Sequence, residues 1–343
     1  MRLGIIGLPG SGKSTVFDAL TQSAAGGAHR GEDRIGTIRV PDDRVDVLSR
    51  MYQPRKTIFA QVEYFLPGKT GQETKKDPGL WTPVRDCDAL IQVVRNFRSY
   101  GMEAPTPGPD LAAIEAEMIL ADLVVVEKRL ERLELDRKRG KPGDPEELSL
   151  LSRCRERLEA EMPLRGAPDL AQAPQLRGFA FVSAKPVLVL FNNEDDDDTL
   201  PENAGGGDAR EEAMVIRGKL EQELAQMDED EAREFLEEFE IKASAMDRVI
   251  TRSYALLGLI SFFTVGEDEV RAWTIRSNTA AVDAAEAIHS DIKKGFIRAE
   301  VLAYDDLMAA GTYAEARKRG TVRLEGKTYP VQDGDIIHFR FNV

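Results

Sequence analysis

Gly7-Leu-Pro-Gly-Ser-Gly-Lys-Ser14 matches the phosphate-binding pattern G-x-x-x-x-G-K-[ST] without a gap. Just before it, Leu3 to Ile6 is the short apolar run of a buried strand. Just after it, Thr15 to Thr21 places Val16 and Leu20 on one helical face. A strand, a glycine loop and a helix start in that order build an anion nest. Gly10 and Gly12 let successive N–H groups turn inward, and the helix start adds unpaired donors and a partial positive charge. Lys13 is expected to reach the terminal phosphates, and the Ser14 hydroxyl to ligate Mg²⁺. The predicted ligand is a nucleoside triphosphate.

The 343 residues are enough for two or three domains. Hydrophobic content of 42% and charged content of 31% fit a soluble globular chain. No apolar run approaches a membrane span, so no membrane partner is expected. The glycine loop interrupts the apolar start too early for a secretory leader. Two cysteines, Cys87 and Cys154, suit a reducing cytoplasm and offer no disulfide framework. Three scattered histidines exclude a histidine-based catalytic cluster. A net charge of −14 argues against indiscriminate nucleic-acid binding through bulk charge.

Beyond the first helix, Gly36–Val40, Ile58–Phe65, Ala89–Val94 and Val187–Phe191 have strand character, and Asp42–Met51 has helical spacing. Met102 to Pro109 is proline-punctuated linker. Asp110 is the expected cap of a long helix carrying Leu111, Ile114, Met118 and Val125 on one face and ending near Gly140. Asp144-Pro-Glu-Glu147 starts a second, with Leu148, Leu151, Leu158 and Met162 in line. The pair predicts an antiparallel helical hairpin inserted into an α/β domain, with Cys154 as a packed core residue. Glu194 to Asp198 is an acidic loop, Gly205–Gly207 a break, and Glu211–Glu240 and Arg248–Leu257 helical. From Phe262 short strands and turns predict a separate small α+β domain.

Three C-terminal runs, Glu269-Val-Arg-Ala-Trp-Thr-Ile-Arg276, Gly295–Leu307 and Val331–Val343, resemble the TGS-type domain of the Obg-like ATPases of the YchF type. Glu117–Leu123 and Val126–Leu133 resemble that family's helical domain, and Pro41–Arg44 and Cys87–Arg95 its nucleotide-binding domain. The resemblance implies a P-loop NTPase parallel sheet over residues 1–109 and 180–261, a helical hairpin over 110–179, and a β-grasp-like TGS domain over 262–343. It implies a ribosome-associated protein touching rRNA or a ribosomal protein; a cytoplasmic location, from the cysteine usage, and a monomer are the accompanying expectations. Hydrolysis of ATP, or of GTP, is implied with Lys13 as the catalytic group. Gly10, Ser11, Gly12, Lys13, Ser14 and Thr15 carry over as the phosphate site, and Ser14 as the Mg²⁺ ligand. The family's N-x-x-E base reader falls on Asn192-Asn-Glu-Asp195, so Asn192 and Asp195 are the expected base contacts. Asn193-Glu-Asp-Asp196 is a competing register, and Arg217-Gly-Lys219 stands where the family has its S-A-[AK] loop.

Two positions on the γ-phosphate side also depart from the family. The aspartate of its D-x-x-G element is replaced by Leu66, or by Phe65 if Gly68 is the glycine, and its switch threonine falls near Arg30. Neither replacement can serve a Mg²⁺ shell, and one lost electrostatic group is commonly worth about 10²–10³ in rate. A slow ATPase or GTPase and a hydrolysis-deficient docking protein are the two readings that follow. A small-molecule kinase would share Gly10-Ser-Gly-Lys-Ser14 but leaves the C-terminal domain unexplained. For that domain, RNA or protein contact through Arg271, Arg276, Arg298 and Arg317-Lys-Arg319 competes with an ordinary solvated surface.

Overall fold

The computed structural model describes residues 1–22, 32–68, 81–140, 143–202, 211–238 and 244–342. Arg30, the Lys69–Lys76 stretch, the Gly205–Gly207 break and Lys141 lie outside these residues. The chain forms two compact units, Met1–Ile38 with Glu63–Val249, and Arg39–Val62 with Ile250–Val343. The strands are β1 (Arg2–Ile6), β2 (Arg34–Arg39), β3 (Lys56–Ile58), β4 (Gln61–Leu66), β5 (Ala89–Asn96), β6 (Val187–Asn193), β7 (Glu211–Ile216), β8 (Leu259–Val265), β9 (Glu269–Arg276), β10 (Phe296–Ala303), β11 (Arg323–Glu325) and β12 (Asp335–Phe341).

The first unit is built on a six-stranded sheet in the order β2-β4-β1-β5-β6-β7, and β4, β1, β5, β6 and β7 pair in parallel. β6 is buried along its whole length and β5 up to Arg95, as continuous apolar runs inside a two-faced sheet require. β7 corrects an expectation, because Glu211–Ile216 is a strand rather than helix and the first helix of that segment is Gly218–Leu224. The helical insert is a long helix, Pro107–Lys138, followed by Pro145–Glu159. The N-cap of its first helix is Thr106 rather than Asp110. Pro107 and Pro109 fall in the first turn, where no amide donor is needed, so the expected linker is already helix. Asp144 caps the second helix by accepting from Glu146 N at 2.9 Å. Leu151, Cys154 and Leu158 are buried against Val126, whereas Leu148 and Met162 are exposed. Arg129 clamps the two helices with a bidentate pair to Glu147, both bonds 2.8 Å.

The second unit holds a mixed sheet in the order β11-β10-β12-β8-β9-β3. β10–β12 and β8–β9 are antiparallel, β12–β8 and β3–β9 parallel. β3 draws Arg39–Val62 into this unit although the sequence places it among the nucleotide-binding residues. Arg44 adds a 2.7 Å bond to Asp333 in the turn before β12. Trp273 donates through Nε1 to Thr264 at 2.9 Å and carries the Arg271 guanidinium 3.8 Å above its ring, so that face is not open for base stacking.

Glu300, 4% exposed, accepts from Tyr313 at 2.8 Å, from Arg340 at 2.5 Å and from Arg317. Burial opposes its charge, but the bonds from Tyr313, Arg340 and Arg317 outweigh it and hold the carboxyl at about 2. A folded-state value below the ordinary 4.5 contributes stability that is present above pH 4.5 and lost as pH falls toward 2. The Glu300→Gln variant is therefore expected to have a flatter acid limb over that window, read from thermal unfolding midpoints. Equal slopes in the two proteins would refute the assignment.

Candidate functional site

β1 lies between β4 and β5 and delivers the glycine loop at its C-terminal end, the edge where parallel α/β sheets bind ligands. Gly7 has φ +150, and a Cβ there would sit 2.4 Å from the Val93 carbonyl oxygen. Gly12 has φ +94, and a Cβ there would sit 2.2 Å from Asn192 Nδ2. Only glycine fits either position. Ser11 N donates back to Leu8 O at 3.2 Å, closing the turn, and the helix Lys13–Thr21 starts at once. Its N-cap, Gly12, has no side chain to occupy the first N–H groups, and the first turn holds no acidic residue. The helix start therefore faces the loop with uncapped donors and no competing carboxylate. Lys13 folds over the loop, its Nζ donating to Gly7 O and Leu8 O, both at 2.8 Å. Ser14 is exposed, Gly10 is exposed with φ +78, and Thr15 is half-buried.

Asn192, 4% exposed at the end of β6, joins this loop to the segment after β7. Its Nδ2 donates to Ser11 O at 3.1 Å and its Oδ1 accepts from Gly218 N at 2.9 Å. Asn193 turns elsewhere, donating to Thr199 O at 2.8 Å and accepting from Asn96 at 3.0 Å. Of the two registers, the one beginning at Asn192 touches the phosphate loop. Asp195 is exposed, with Lys219 Nζ 3.9 Å from its carboxylate and Arg217 donating to its carbonyl at 3.4 Å. Arg217-Gly-Lys219 thus stands beside both expected base-contact residues. Glu194 instead accepts from the backbone N of Arg98 at 2.6 Å.

A family model named YchF-GTPase_C, described as a protein of unknown function (DUF933), matches residues 259–342. A Bacillus subtilis (strain 168) protein named Ribosome-binding ATPase YchF is 39% identical over 99% of this chain and 99% of the relative. The protein of that name in Escherichia coli O157:H7 is 34% identical over 100% of this chain and 99% of its own length. The chain belongs to the YchF family. The solved structure of the Schizosaccharomyces pombe YchF GTPase superposes with a TM-score of 0.84 at 30% identity, covering 99% of this chain and 97% of that one.

The two β4 positions set against the family's D-x-x-G element in the sequence are both apolar. Phe65 and Leu66 are 4% and 6% exposed, and Phe65 packs with Ile6, Trp81 and Val84 in the core of the sheet. In either register the side chain at the position where the resemblance implies an aspartate is apolar and buried. Among the described residues no cluster of three His, Cys, Asp or Glu could hold a metal by itself. The donor set suits Mg²⁺ nonetheless, because that ion commonly takes few protein oxygens and completes its shell with phosphates and water. Ser14 offers an exposed hydroxyl at the cradle for it. Sequence reasoning placed Gly7 in the loop pattern and Gly218 in the Arg217-Gly-Lys219 segment but passed over Phe97 as a site residue. Phe97, which follows β5, has its ring 3.9 Å from the Cβ position of Gly12. Only this approach in space singles Phe97 out. Among the described residues no helix is long and apolar enough to cross a membrane.

Proposed function

We propose that this chain binds ATP, with GTP as the alternative, together with Mg²⁺, hydrolyses it slowly, and works on the ribosome in the cytoplasm. The phosphate cradle at the C-terminal end of β1 carries the reading, and the names of the full-length relatives supply the ribosome and the ATPase activity. Lys13 exchanges the Gly7 and Leu8 carbonyls for the terminal phosphates, and the uncapped donors of Lys13–Thr21 hold the anion. Ser14 contributes its hydroxyl to Mg²⁺, which neutralises phosphate charge when bound. Asn192 fixes the cradle relative to the base side, where Asp195 and Lys219 stand. The expected organisation is a nucleotide-binding domain over 1–109 and 180–261, a helical insert over 110–179 and a TGS-like domain over 262–343, acting as a monomer. The buried Phe65 and Leu66 favour a second reading, a nucleotide-loaded docking protein that barely turns over.

Titration with fluorescent ATP and GTP analogues in Mg²⁺, with phosphate release followed in the same samples with and without ribosomes, separates the readings. Phosphate release is expected to fall to background in Lys13→Ala, with at least about tenfold weaker binding, which corresponds to ~1.4 kcal/mol. Tight binding with no release, even on ribosomes, would leave the docking protein. Absence of binding would overturn both.

A further inference from the structure

We propose that Asp33 supplies the carboxylate that strand β4 lacks, serving the Mg²⁺ shell directly or through its water. The inference rests on the nucleotide reading above and concerns a residue outside the phosphate loop. β1 and β4 are parallel neighbours in the register Leu3↔Tyr64 and Gly4↔Phe65. Three residues further along each chain stand Gly7, where the phosphate loop begins, and Gly68. Both strands therefore exit on the same edge of the sheet, about 4.8 Å apart at the strand level. The Gly68 N–H donates to Asp33 Oδ1 at 2.7 Å. Asp33 immediately precedes β2, the neighbour of β4, and this bond pins its carboxylate at the ligand edge.

The other carboxylates bonded near these strands are committed elsewhere. Asp18 is 7% exposed and accepts from Arg34 and from Gln222 at 3.3 Å. Glu63 pairs with Arg2, and Asp88 accepts from Arg2 N at 2.9 Å, both at the start of β1 and so at the far end of the strand. Arg34, the cation next to Asp33 in sequence, turns away onto Asp18 and the Phe17 ring, 4.4 Å from its centroid. Asp33 is exposed, and among the described residues its Oδ2 has no partner. A carboxylate oxygen pinned through its twin, with no cation on it among the described residues, at the strand edge that carries the phosphate loop, is suited to a hard divalent ion.

Asp33→Asn tests this, because the amide oxygen still accepts from Gly68 N–H and only the charge is removed. Mn²⁺ is titrated into the full chain with a fluorescent non-hydrolysable ATP analogue, and bound Mn²⁺ is read by electron paramagnetic resonance. The variant is expected to need ~10–100-fold more Mn²⁺ at half-saturation, as loss of a shell partner does, with affinity for the analogue in EDTA unchanged. A Mn²⁺ requirement equal to wild type would overturn the assignment. So would an equal loss of affinity in EDTA, which would mark Asp33 as a support for the loop fold. A wild-type protein whose analogue affinity ignores Mn²⁺ would overturn the nucleotide reading itself, and this inference with it.

Discussion

Gly12→Ala is expected to lose about 100-fold or more in nucleotide affinity while the protein remains folded. Two effects act on the same atoms. The backbone at φ +94 is left-handed, and an L side chain there is strained by ~1–2 kcal/mol. The new Cβ would also stand 2.2 Å from Asn192 Nδ2, so the amide must swing away from both Ser11 O and Gly218 N. Two hydrogen bonds of ~0.5–1.5 kcal/mol each are then lost, and with them the tie between the cradle and the base side. Gly140→Ala is the control. It shares a positive φ, +75, but among the described residues beyond its chain neighbours no heavy atom lies within 4 Å of its Cβ position, so it should bear backbone strain alone and leave affinity unchanged. Calorimetric titration with ATP and GTP, beside circular dichroism for the fold, decides the matter. Wild-type affinity in Gly12→Ala would mean that the nucleotide does not use this loop.

The cradle was legible in the sequence because its function dictates residue types within eight contiguous positions. A strand, glycines and a Lys-Ser pair leave little freedom. The apolar runs of β5 and β6 were equally plain, since strands covered on both faces cannot hide among polar alternation. What escaped depends on long-range pairing. Glu211–Ile216 is charged at its start and carries helical spacing, yet it pairs with β6 from Val187↔Glu211 to Asn192↔Ile216. Pairing with an already formed sheet overrides local preference. Lys56–Ile58 joins the second unit because it pairs with Glu269–Arg271, a partner over two hundred residues away that no local pattern announces. Asn192 was found through its motif, but its double tie to Ser11 and Gly218 required coordinates. Asp33 offered no signal beyond its place ahead of β2.

Asp122→Ala is expected to destabilise the first unit by ~3–5 kcal/mol, the largest stability effect of any single side chain described. Asp122 is 0% exposed on the long helix Pro107–Lys138. Its carboxylate accepts from Ser183 N at 2.7 Å, from Val182 N at 3.0 Å and from Arg85 Nη1 at 3.2 Å. Val182 and Ser183 lie in the turn that feeds β6, so one buried carboxylate ties the helical insert to the strand that carries Asn192. Burial pushes its carboxyl above the ordinary aspartate range, while Ser183, Val182 and Arg85 pull the other way. Removing it leaves two buried amides without their acceptor and Arg85 without its ion partner, which is why the loss exceeds that of one hydrogen bond. Asp122→Asn should be milder, since one oxygen can still accept. A midpoint lower by about 10 °C is expected for the alanine variant, given ~2–4 °C per kcal/mol for chains of this order of size. Because the displaced turn precedes β6, nucleotide affinity should fall together with the midpoint and recover in part in Asp122→Asn. An alanine variant as stable as wild type would mean that the insert is held to the sheet by its apolar contacts, Ile114 and Met118 against Val187 and Val189, without help from the buried carboxylate.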